Sequence, residues 1–295
     1  MNAAATGTIS LQRQVCRMTN TTIEERMEQL RRRISGCGQL LVSFSGGVDS
    51  GLIAALGKEI LGDNVQAVFI DSPLVPRSAV WEAREMAELL GIPLGIITVP
   101  FPGEMVSRNL PDRCYHCKKS FSELLRARAD EQGISCIADG VTESDRSEHR
   151  PGTRAATEAG IIHPFLESRI TKAEIRQLAR ERGLPFWDKP SSACLASRIP
   201  YGEALTRENL RMVEEAEAGL AKAGFAGSRV RNHSGIARIE VPEAVIPRLV
   251  AARKTIVSLV KEAGFSYVTL DLIGYRSGSM DEVRGKTAVP GREGS

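Results

Sequence analysis

Two groups of residues in this sequence have types and spacings suited to chemistry. One is the stretch FSGGVDS at residues 44–50, where two glycines, two serines and an aspartate follow a short apolar run. The other is a set of three cysteines, in which Cys114 and Cys117 form a C-x-x-C pair and Cys194 stands in a polar, proline-flanked loop. Glycine-rich turns bind phosphates, and cysteine sulfurs hold metals or act as nucleophiles.

The glycine-rich stretch predicts a phosphate-binding turn between a strand and a helix. Such a turn leaves backbone N–H groups free and points a helix N-terminus at the ligand. Gly46 and Gly47 would let these groups approach a pyrophosphate, and Asp49 would hold Mg²⁺ directly or through water. Hydroxyl groups add donors, so the predicted ATP-binding residues of this stretch are Ser43, Ser45, Gly46, Gly47, Val48, Asp49 and Ser50. The simpler alternative is a tight turn without a ligand, for which one glycine would usually suffice.

Two common phosphate motifs do not match. A Walker A loop needs G-x-x-x-x-G-K-[ST], whereas residues 51–59 have a spacing one residue too long and a glutamate in place of the hydroxyl. The dinucleotide G-x-G-x-x-G pattern is also absent from this stretch. The stretch S-G-G-V-D-S instead resembles the PP-loop of the N-type ATP pyrophosphatases, which cleave ATP between its α- and β-phosphates and activate a substrate oxygen as an adenylate. In such folds the end of the second strand contacts the adenosine, which adds Asp71 and Ser72 to the predicted ATP-binding residues.

The cysteine pair allows three interpretations: a redox dithiol, half of a zinc site, or part of an iron–sulfur site. The sequence has no second C-x-x-C and no H-x₃₋₅-H to complete a zinc site. With Cys194 as a third thiolate, a [4Fe-4S] cluster would keep one iron open for an exogenous ligand. The alternative is three unrelated thiols. Six cysteines in a chain of 295 residues do not suggest a disulfide framework. Cys16, Cys37 and Cys136 are expected to be ordinary thiols.

Alternating strand and helix patterns predict the elements that position these residues. Strands are predicted at 40–44, 65–70, 93–99 and 134–138, and helices at 21–34, 50–61, 77–90, 118–129 and 171–182. The alternation predicts an α/β fold with a parallel sheet and helices on both faces. Ligands bind such sheets beyond the carboxyl ends of the strands, where residues 45–50 would lie.

The pattern changes after residues 183–202. A long helix, a hairpin, a second helix and a final strand are predicted at 206–222, 229–241, 243–262 and 267–270. This order predicts a smaller α+β domain, with the hairpin turn at residues 232–235. We therefore predict a PP-loop ATP pyrophosphatase domain over 21–186 and a smaller C-terminal α+β domain over 187–295. Residues 1–20 are expected to form a disordered leader, and Met18 is a candidate start.

The composition excludes several other classes of protein. The chain has 295 residues, of which 42% are hydrophobic and 25% charged, so it can bury a substantial core. A formal charge of +3 is too small to predict a nucleic-acid partner. No apolar stretch approaches the roughly 20 residues of a membrane span, and the N-terminus lacks the apolar region of a secretory signal. We expect a cytoplasmic protein that binds neither nucleic acid nor membrane.

Four stretches of the sequence closely resemble the LarE family. They are residues 44–50, DGVTESDRSEHRPG at 139–152, WDKPSSACLASRIPYGE at 187–203 and RVRNHSGIARIEV at 229–241. LarE proteins are ATP-dependent sulfur transferases that help to build the nickel-pincer nucleotide cofactor of lactate racemase. The resemblance implies that a carboxylate of pyridinium-3,5-biscarboxylic acid mononucleotide is adenylylated and that a sulfur nucleophile then displaces AMP. The product is a thiocarboxylate, and the cycle repeats on the second carboxylate.

The family has two sources of sulfur. In one branch the cysteine at the Cys194 position gives up its own sulfur and becomes dehydroalanine. In the other, three cysteines hold a [4Fe-4S] cluster whose open iron carries an extra sulfide. The C-x-x-C pair places this sequence in the cluster branch, with Cys114, Cys117 and Cys194 as ligands and Cys194 as the catalytic residue. If the cluster is absent, Cys194 acts sacrificially, and Arg198 and the loop amides are candidates to stabilise its thiolate.

The substrate's ribose phosphate requires basic residues near Cys194. The resemblance implies phosphate contacts from Ser197, Arg198, Arg229, Arg231 and Arg276, and a metal-binding role for Glu240. Arg229 and Arg231 alternate with one residue between them and so share one face of a strand, although an exposed polar face is the simpler alternative. The expected partners are a second copy of the chain in a homo-oligomer, a system that supplies cluster or sulfide, and a downstream nickel-insertion protein.

Two other PP-loop activities remain as alternatives. An amidating ligase of the NAD- or GMP-synthetase kind needs delivered ammonia, usually from a glutaminase domain, for which the sequence has no spare length. A tRNA thiolase needs an RNA-binding surface more basic than a net charge of +3 indicates. A non-catalytic nucleotide-binding regulator is a third alternative, which the intact S-G-G-V-D-S stretch disfavours.

Overall fold

Residues 22–147, 151–190, 193–276 and 280 are described by the structure, a computed structural model of the chain. The predicted leader at 1–20, with Met18, lies outside them. The larger sheet has four parallel strands in the order β3-β2-β1-β4. These strands are β1 (Leu40–Ser43), β2 (Val65–Asp71), β3 (Leu94–Thr98) and β4 (Cys136–Ala138). All four lie within the predicted segments or extend them by a single residue, because continuous apolar runs are typical of parallel strands that are buried on both faces.

Helices cover both faces of this sheet, as predicted. The helices in this part of the chain are α1 (Ile23–Ser35), α2 (Val48–Leu61), α3 (Arg77–Leu89), α4 (Glu104–Ser107), α5 (Arg113–Glu131), α6 (Pro151–Glu158), α7 (Pro164–Glu167) and α8 (Lys172–Glu181). Side chains alternate along β1, so Leu40 and Val42 join the core beside α1 and α2. Leu41 points the other way and packs in a core with residues of α5 and α6. The α/β fold class is therefore confirmed.

A smaller, mixed sheet follows in the chain. Its elements are α9 (Arg207–Lys222), β5 (Arg229–His233), β6 (Ile236–Glu240), α10 (Ile246–Ala251), α11 (Arg253–Glu262) and β7 (Tyr267–Leu270). Strand β6 lies in the centre, antiparallel to β5 and parallel to β7. Ser234 and Gly235 both have positive φ angles, of 50° and 89°, which a tight two-residue hairpin turn requires. The predicted turn is therefore correct.

The second core draws on both parts of the chain. Leu74, which follows β2, and Val106, which lies in α4, belong to the same buried cluster as Val213 of α9 and Val230 of β5. The division between residues 186 and 187 stays a prediction, since the apolar contacts continue across it. Within the described residues, no helix is both long enough and apolar enough to cross a membrane.

Two predictions of helix boundaries need correction. Helix α5 begins at Arg113 rather than at residue 118, so Cys114 and Cys117 lie in its first turns and not ahead of it. The predicted helix at 243–262 is broken at Ala252 into α10 and α11, after a short 3₁₀ turn at 243–245.

A third correction concerns two of the cysteines. Cys37 and Cys136 form a disulfide, with their Cα atoms 5.6 Å apart, so the expectation that both are ordinary thiols is wrong. The reason is the strand pairing: Leu40 lies beside Cys136 in the sheet, and Cys37 precedes Leu40 by three residues. Cys16 lies outside the described residues. Among the described cysteines, the free thiols are Cys114, Cys117 and Cys194.

Candidate active site

The glycine-rich loop joins the end of β1 to the start of α2. Gly47 has extended backbone at the N-cap of α2, and no side chain caps this helix end. The first backbone N–H groups of the helix are thus the ones that an anion would meet. Gly46 has a φ angle of 69°, a conformation that glycine adopts far more readily than other residues.

Hydroxyl groups brace the loop from within. The Ser50 hydroxyl accepts from the Ser45 amide at 3.1 Å and lies 3.0 Å from the Ser45 hydroxyl. It also donates to the Gly47 carbonyl at 3.3 Å. Ser45 is exposed and Asp49 half-buried, so both can meet a ligand at the mouth of the loop.

Two segments from elsewhere in the chain hold the loop from outside. Lys189 Nζ donates to the Gly46 carbonyl at 2.6 Å and pairs with Glu82 at 2.5 Å. Gly140, which follows β4 by two residues, packs so closely that an added Cβ would stand 2.8 Å from the Ser50 amide nitrogen. The carboxyl ends of β1 and β4 therefore meet at this loop, where parallel sheets bind ligands.

A cavity of about 230 Å³ opens beside the loop. Its walls come from four parts of the chain: the end of β1, the end of β2 with the start of α3, helix α5, and the loop that carries Cys194. The lining residues are Ser43, Phe44, Ser45, Val68, Phe69, Ile70, Val75, Pro76, Ala79, Lys118, Phe121, Ala193 and Cys194. The structure thus brings the predicted phosphate loop and the predicted sulfur-bearing residue to one cavity.

The predicted adenosine contacts lie elsewhere. Asp71 pairs with Arg77 at 2.5 Å and lines two other cavities, of about 340 and 370 Å³, whose walls do not include the loop. Ser72 is buried, and its hydroxyl accepts from the Leu74 amide at 3.2 Å. Both stay predicted ATP-binding residues. The residues of β2 that line the cavity are Val68, Phe69 and Ile70, which come just before them in the chain.

Arg198 holds the loop that carries Cys194. It is one of the largest fully buried side chains, and its guanidinium forms a two-pronged pair with Glu217 at 2.9 Å for each contact. It also donates to the carbonyls of Ala193 and Cys194 at 2.8 and 3.1 Å. Ser197 donates its hydroxyl to the Cys194 carbonyl at 2.8 Å. These contacts favour a positioning role for Arg198 and Ser197, and their predicted phosphate contacts stay untested.

The three free thiols lie close enough to affect one another's pKa. Burial and the nearby sulfurs of Cys194 and Cys114 raise the pKa of Cys117 to about 12. Cys194 reaches solvent, yet the protein atoms packed around its thiol raise that pKa as well. Arg113 works most strongly in the opposite direction, followed by the Ala196 amide, while Arg198 has a smaller effect on the Cys194 pKa. The loop amide and Arg198 were predicted to act in this direction, and Arg113 was missed.

Arg231 forms a buried ion pair with Glu240. It donates to Glu240 Oε2 at 2.7 and 3.0 Å and to the Ser197 carbonyl at 3.0 Å. Glu240 is fully buried, and its other oxygen lies 3.1 Å from Arg238. Both carboxylate oxygens thus meet guanidinium groups, so the metal-binding role predicted for Glu240 stays a prediction that these contacts do not favour. Within the described ranges, no group of three His, Cys, Asp or Glu side chains is arranged to hold a single metal ion.

Arg229 and Arg276 are the more accessible arginines of this region. Both are half-buried, and Arg229 lies over the ring of Tyr275 at 5.8 Å. Burial, followed by the charge of Arg198, lowers the pKa of Arg229, while Glu217 at 4.0 Å acts in the opposite direction. The Arg276 guanidinium lies 4.0 Å from Asp271. Two partly accessible guanidinium groups of this kind suit a phosphate group.

Sequence reasoning missed a buried polar chain behind Lys118. The Lys118 ammonium lines the cavity and lies 3.3 Å from Asp139 Oδ2. His163 Nδ1 lies 2.7 Å from Asp139 Oδ1, and its Nε2 lies 2.9 Å from the Thr157 hydroxyl. Burial alone would raise the pKa of Asp139, but the His163 hydrogen bond and the Lys118 charge lower it. Lys118 belongs to no sequence motif, so nothing in the sequence indicated that its side chain would lie at the cavity and pair with a buried aspartate.

The parallel sheet, with an S-G-G-V-D-S loop between its central strand and a helix, defines the class of PP-loop ATP pyrophosphatases. The NAD synthase family matches residues 22–129, which contain this loop. An uncharacterized protein of Synechocystis is 37% identical over 264 residues, covering 88% of this chain and 98% of that protein.

Two further relatives match most of the chain. The pyridinium-3,5-bisthiocarboxylic acid mononucleotide synthase of Lactiplantibacillus plantarum is 38% identical over 253 residues, covering 85% of this chain and 92% of that enzyme. An uncharacterized protein of Methanocaldococcus jannaschii is 30% identical over 239 residues, covering 81% and 91%. The chain belongs to the LarE family, of which the Lactiplantibacillus enzyme is a member.

Proposed function

We propose that this protein is an ATP-dependent sulfurtransferase that converts the carboxylates of pyridinium-3,5-biscarboxylic acid mononucleotide into thiocarboxylates. The observation that carries this proposal is the shared cavity, in which Ser43 and Ser45 of the phosphate loop and Cys194 line the same space. The proposal is supported by the 38% identity with an enzyme named for the bisthiocarboxylic product. Adenylation and sulfur delivery need adjacent sites, because the adenylate must meet the sulfur before water.

The first step activates a carboxylate. A substrate carboxylate oxygen attacks the α-phosphorus of ATP, a P–O bond forms to the substrate, and the bond to the departing pyrophosphate breaks. The backbone N–H groups at the start of α2, where no side chain caps the helix, would donate to the pyrophosphate. Asp49 is the proposed Mg²⁺ ligand, since carboxylate oxygens suit this ion. Lys118 at the cavity wall adds positive charge opposite the phosphates.

The second step delivers sulfur, and the donor is a [4Fe-4S] cluster in the proposal that we favour. The donor set fits such a cluster, because three free thiols lie near one another and the two on α5 lie three residues apart on one helix face. Cys114, Cys117 and Cys194 would hold it, and Arg113 lies beside two of these sulfurs. When bound, the cluster supplies an iron without a protein ligand that can carry an extra sulfide.

The alternative donor is Cys194 itself. This alternative is favoured by the cavity lining, which includes Cys194 but neither Cys114 nor Cys117. The Cys194 sulfur would attack the acyl carbon, AMP would leave, and a thioester would join protein and substrate. Removal of the Cys194 Cα proton would then break the Cβ–S bond. The products would be the thiocarboxylate and dehydroalanine, so each chain would act once.

The substrate phosphate is assigned to the accessible arginines. Arg229 and Arg276 are the proposed phosphate ligands, since each keeps part of its surface open. Arg198 and Arg231 hold the Cys194 loop and its neighbour Ser197 from behind through buried contacts. The cytoplasmic location, the homo-oligomer, the supply of cluster or sulfide and the delivery of product to a nickel-insertion protein remain predictions of the family resemblance.

A substrate-dependence assay tests the proposal. Anaerobically prepared protein should release AMP and pyrophosphate only when ATP and the pyridinium dicarboxylate mononucleotide are both present. Ammonia and unmodified tRNA, offered separately, should not stimulate AMP release. AMP release that depends on ammonia would identify an amidating ligase, and dependence on tRNA would identify a thiolase; either result would contradict the proposal.

A further inference from the structure

Asn109 occupies an unusual position between the two cysteine-bearing segments. It is fully buried and has a φ angle of 57°, a left-handed conformation that asparagine tolerates better than most residues. Its side-chain nitrogen donates to the carbonyls of Pro200, Glu203 and Ile199 at 2.7, 2.9 and 3.3 Å. These three carbonyls belong to the turn that follows Cys194, about ninety residues further along the chain.

Arg113 extends the same contact toward the sulfurs. Its guanidinium donates to the Asn109 side-chain oxygen and, at 3.0 Å, to the Ala196 carbonyl. The same guanidinium lies 3.7 Å from the Cys114 sulfur and 5.2 Å from the centre of the Tyr201 ring. Every polar atom of the Asn109 side chain is therefore used to join the start of α5 to residues that flank the Cys194 loop.

Backbone hydrogen bonds reinforce this junction. The Gly202 amide donates to the Asn109 carbonyl at 3.0 Å, and the Leu205 amide donates to the Ser107 carbonyl at 2.7 Å. A loop far from helix α5 in sequence is thus attached to the segment that leads into this helix. Buried carbonyls without a donor are costly, so loss of the asparagine amide would release the turn rather than leave it in place.

We propose that Asn109 is a positioning residue that sets Cys194 in register with the Cys114–Cys117 pair. Through its amide and through Arg113 it fixes the turn at residues 196–203 against the first turn of α5. This inference rests on the proposed function, because it assigns the three sulfurs to a single site. Asn109 touches neither substrate nor sulfur and acts only through the segments that it joins.

The proximity of the sulfurs can be tested on the unsubstituted protein without iron. Dibromobimane, a short reagent that links two thiols, should join Cys194 to Cys114 or Cys117, and peptide mass mapping identifies the pair. No such link in the unsubstituted, reduced protein would overturn the inference. This test uses no nucleotide, so its outcome is independent of whether the proposed reaction occurs.

The role of the amide is tested with Asn109→Asp, which keeps the size of the side chain but replaces the donor by a carboxylate. The rate of linking Cys194 should fall by roughly tenfold, since hydrogen bonds to three carbonyls are lost. The thiocarboxylate formed per pyrophosphate released should fall by a similar factor, because adenylation still releases pyrophosphate while sulfur attacks the adenylate less often. A purely structural role would lower both products together and leave their ratio unchanged.

Asn232→Asp provides a matched control, since Asn232 is also buried but lies in the β5–β6 hairpin. It should change neither the linking rate nor the product ratio. Asn109→Gly is a second variant, which accepts the positive φ angle without strain and should also uncouple the two products. Linking at the unsubstituted rate in either folded Asn109 variant would overturn the inference. So would failure of both variants to fold while Asn232→Asp folds, because Asn109 would then have no local role.

Discussion

At the residue scale, the phosphate loop keeps its shape through contacts within the chain. Ser50 binds both Ser45 and Gly47, and Lys189 binds Gly46. The N–H groups at the start of α2 are therefore already oriented, and little of the binding free energy of a nucleotide is needed to order them. Preorganised donors of this kind stabilise a departing pyrophosphate more than flexible ones do.

The first prediction concerns two residues of this loop. Asp49→Ala removes the proposed Mg²⁺ ligand, and Gly47→Val places a branched side chain where the phosphates would lie. Release of AMP and pyrophosphate should fall by roughly a hundredfold or more in each variant, while circular dichroism shows an unchanged fold. Release of ADP at the unsubstituted rate would instead show that the loop does not act as a PP-loop.

The second prediction concerns the glycine that packs against the loop. A Cβ at residue 140 would stand 2.8 Å from the Ser50 amide nitrogen and 2.9 Å from the Asp49 carbonyl carbon, and both are backbone atoms. Gly140→Ala should therefore displace the loop, lower the free energy of unfolding by about 1–3 kcal/mol and slow AMP release.

Gly219→Ala is the matched control for this change. A Cβ at residue 219 would meet Leu259 at 3.7 Å, an ordinary contact. Because alanine favours a helix interior, this variant should raise the free energy of unfolding by about 0.5–1 kcal/mol. Urea unfolding of both variants measures the difference, and equal stability of the two would show that the loop is not tightly packed against Gly140.

At the scale of elements, the small sheet separates the arginines into two kinds. Arg231 on β5 faces the buried Glu240 on β6, whereas Arg276, which follows β7, is half-exposed. Removing one partner of a buried ion pair strongly destabilises the folded protein, because the other charge stays buried without an opposite charge beside it. The same substitution should thus have different effects at these two positions.

The third prediction follows from this separation. Arg231→Ala should lower the free energy of unfolding by about 3–5 kcal/mol. Arg276→Ala should change stability by less than about 1 kcal/mol and weaken mononucleotide binding by roughly tenfold or more, with a smaller effect on ATP binding. Thermal unfolding and calorimetric binding measure the two effects. Equal weakening of both ligands by Arg276→Ala would argue against a phosphate contact.

The elements and the phosphate loop were predictable from sequence, because both depend on local patterns. Apolar runs and helical spacing predicted the strands of the larger sheet, and S-G-G-V-D-S predicted the turn that joins β1 to α2. Alternation along β5 predicted that Arg229 and Arg231 share a face. It could not predict that Arg231 meets a buried carboxylate, because the identity of Glu240 as a neighbour depends on the strand register.

Other features could not be predicted from the sequence, because they depend on contacts between residues far apart in the chain. Cys37 and Cys136 meet only because β1 and β4 pair in parallel, and no spacing in the sequence indicates this. Lys118 is a candidate site residue only because the fold places it at the cavity and beside the buried Asp139. Asn109 looks like an ordinary loop residue until the turn that it binds is brought to it.

At the scale of the whole molecule, one cavity brings the proposed nucleotide site next to the proposed sulfur site. The parallel sheet supplies the phosphate loop, and the segment that leads into the small sheet supplies Cys194. The same segment binds the phosphate loop through Lys189, so the two reacting groups are positioned by one stretch of chain. In the proposed function, this arrangement makes the protein a sulfurtransferase that turns over with a cluster held by three cysteines.

The fourth prediction tests that claim. Protein with measured iron and acid-labile sulfide is supplied anaerobically with ATP, the pyridinium dicarboxylate mononucleotide and sulfide. Thiocarboxylate is then counted per chain while mass spectrometry follows the peptide that contains Cys194. We expect iron in the protein before reaction, more than one thiocarboxylate per chain and an unchanged mass of Cys194. A protein without iron whose Cys194 becomes lighter by one H₂S after a single turnover would contradict the claim.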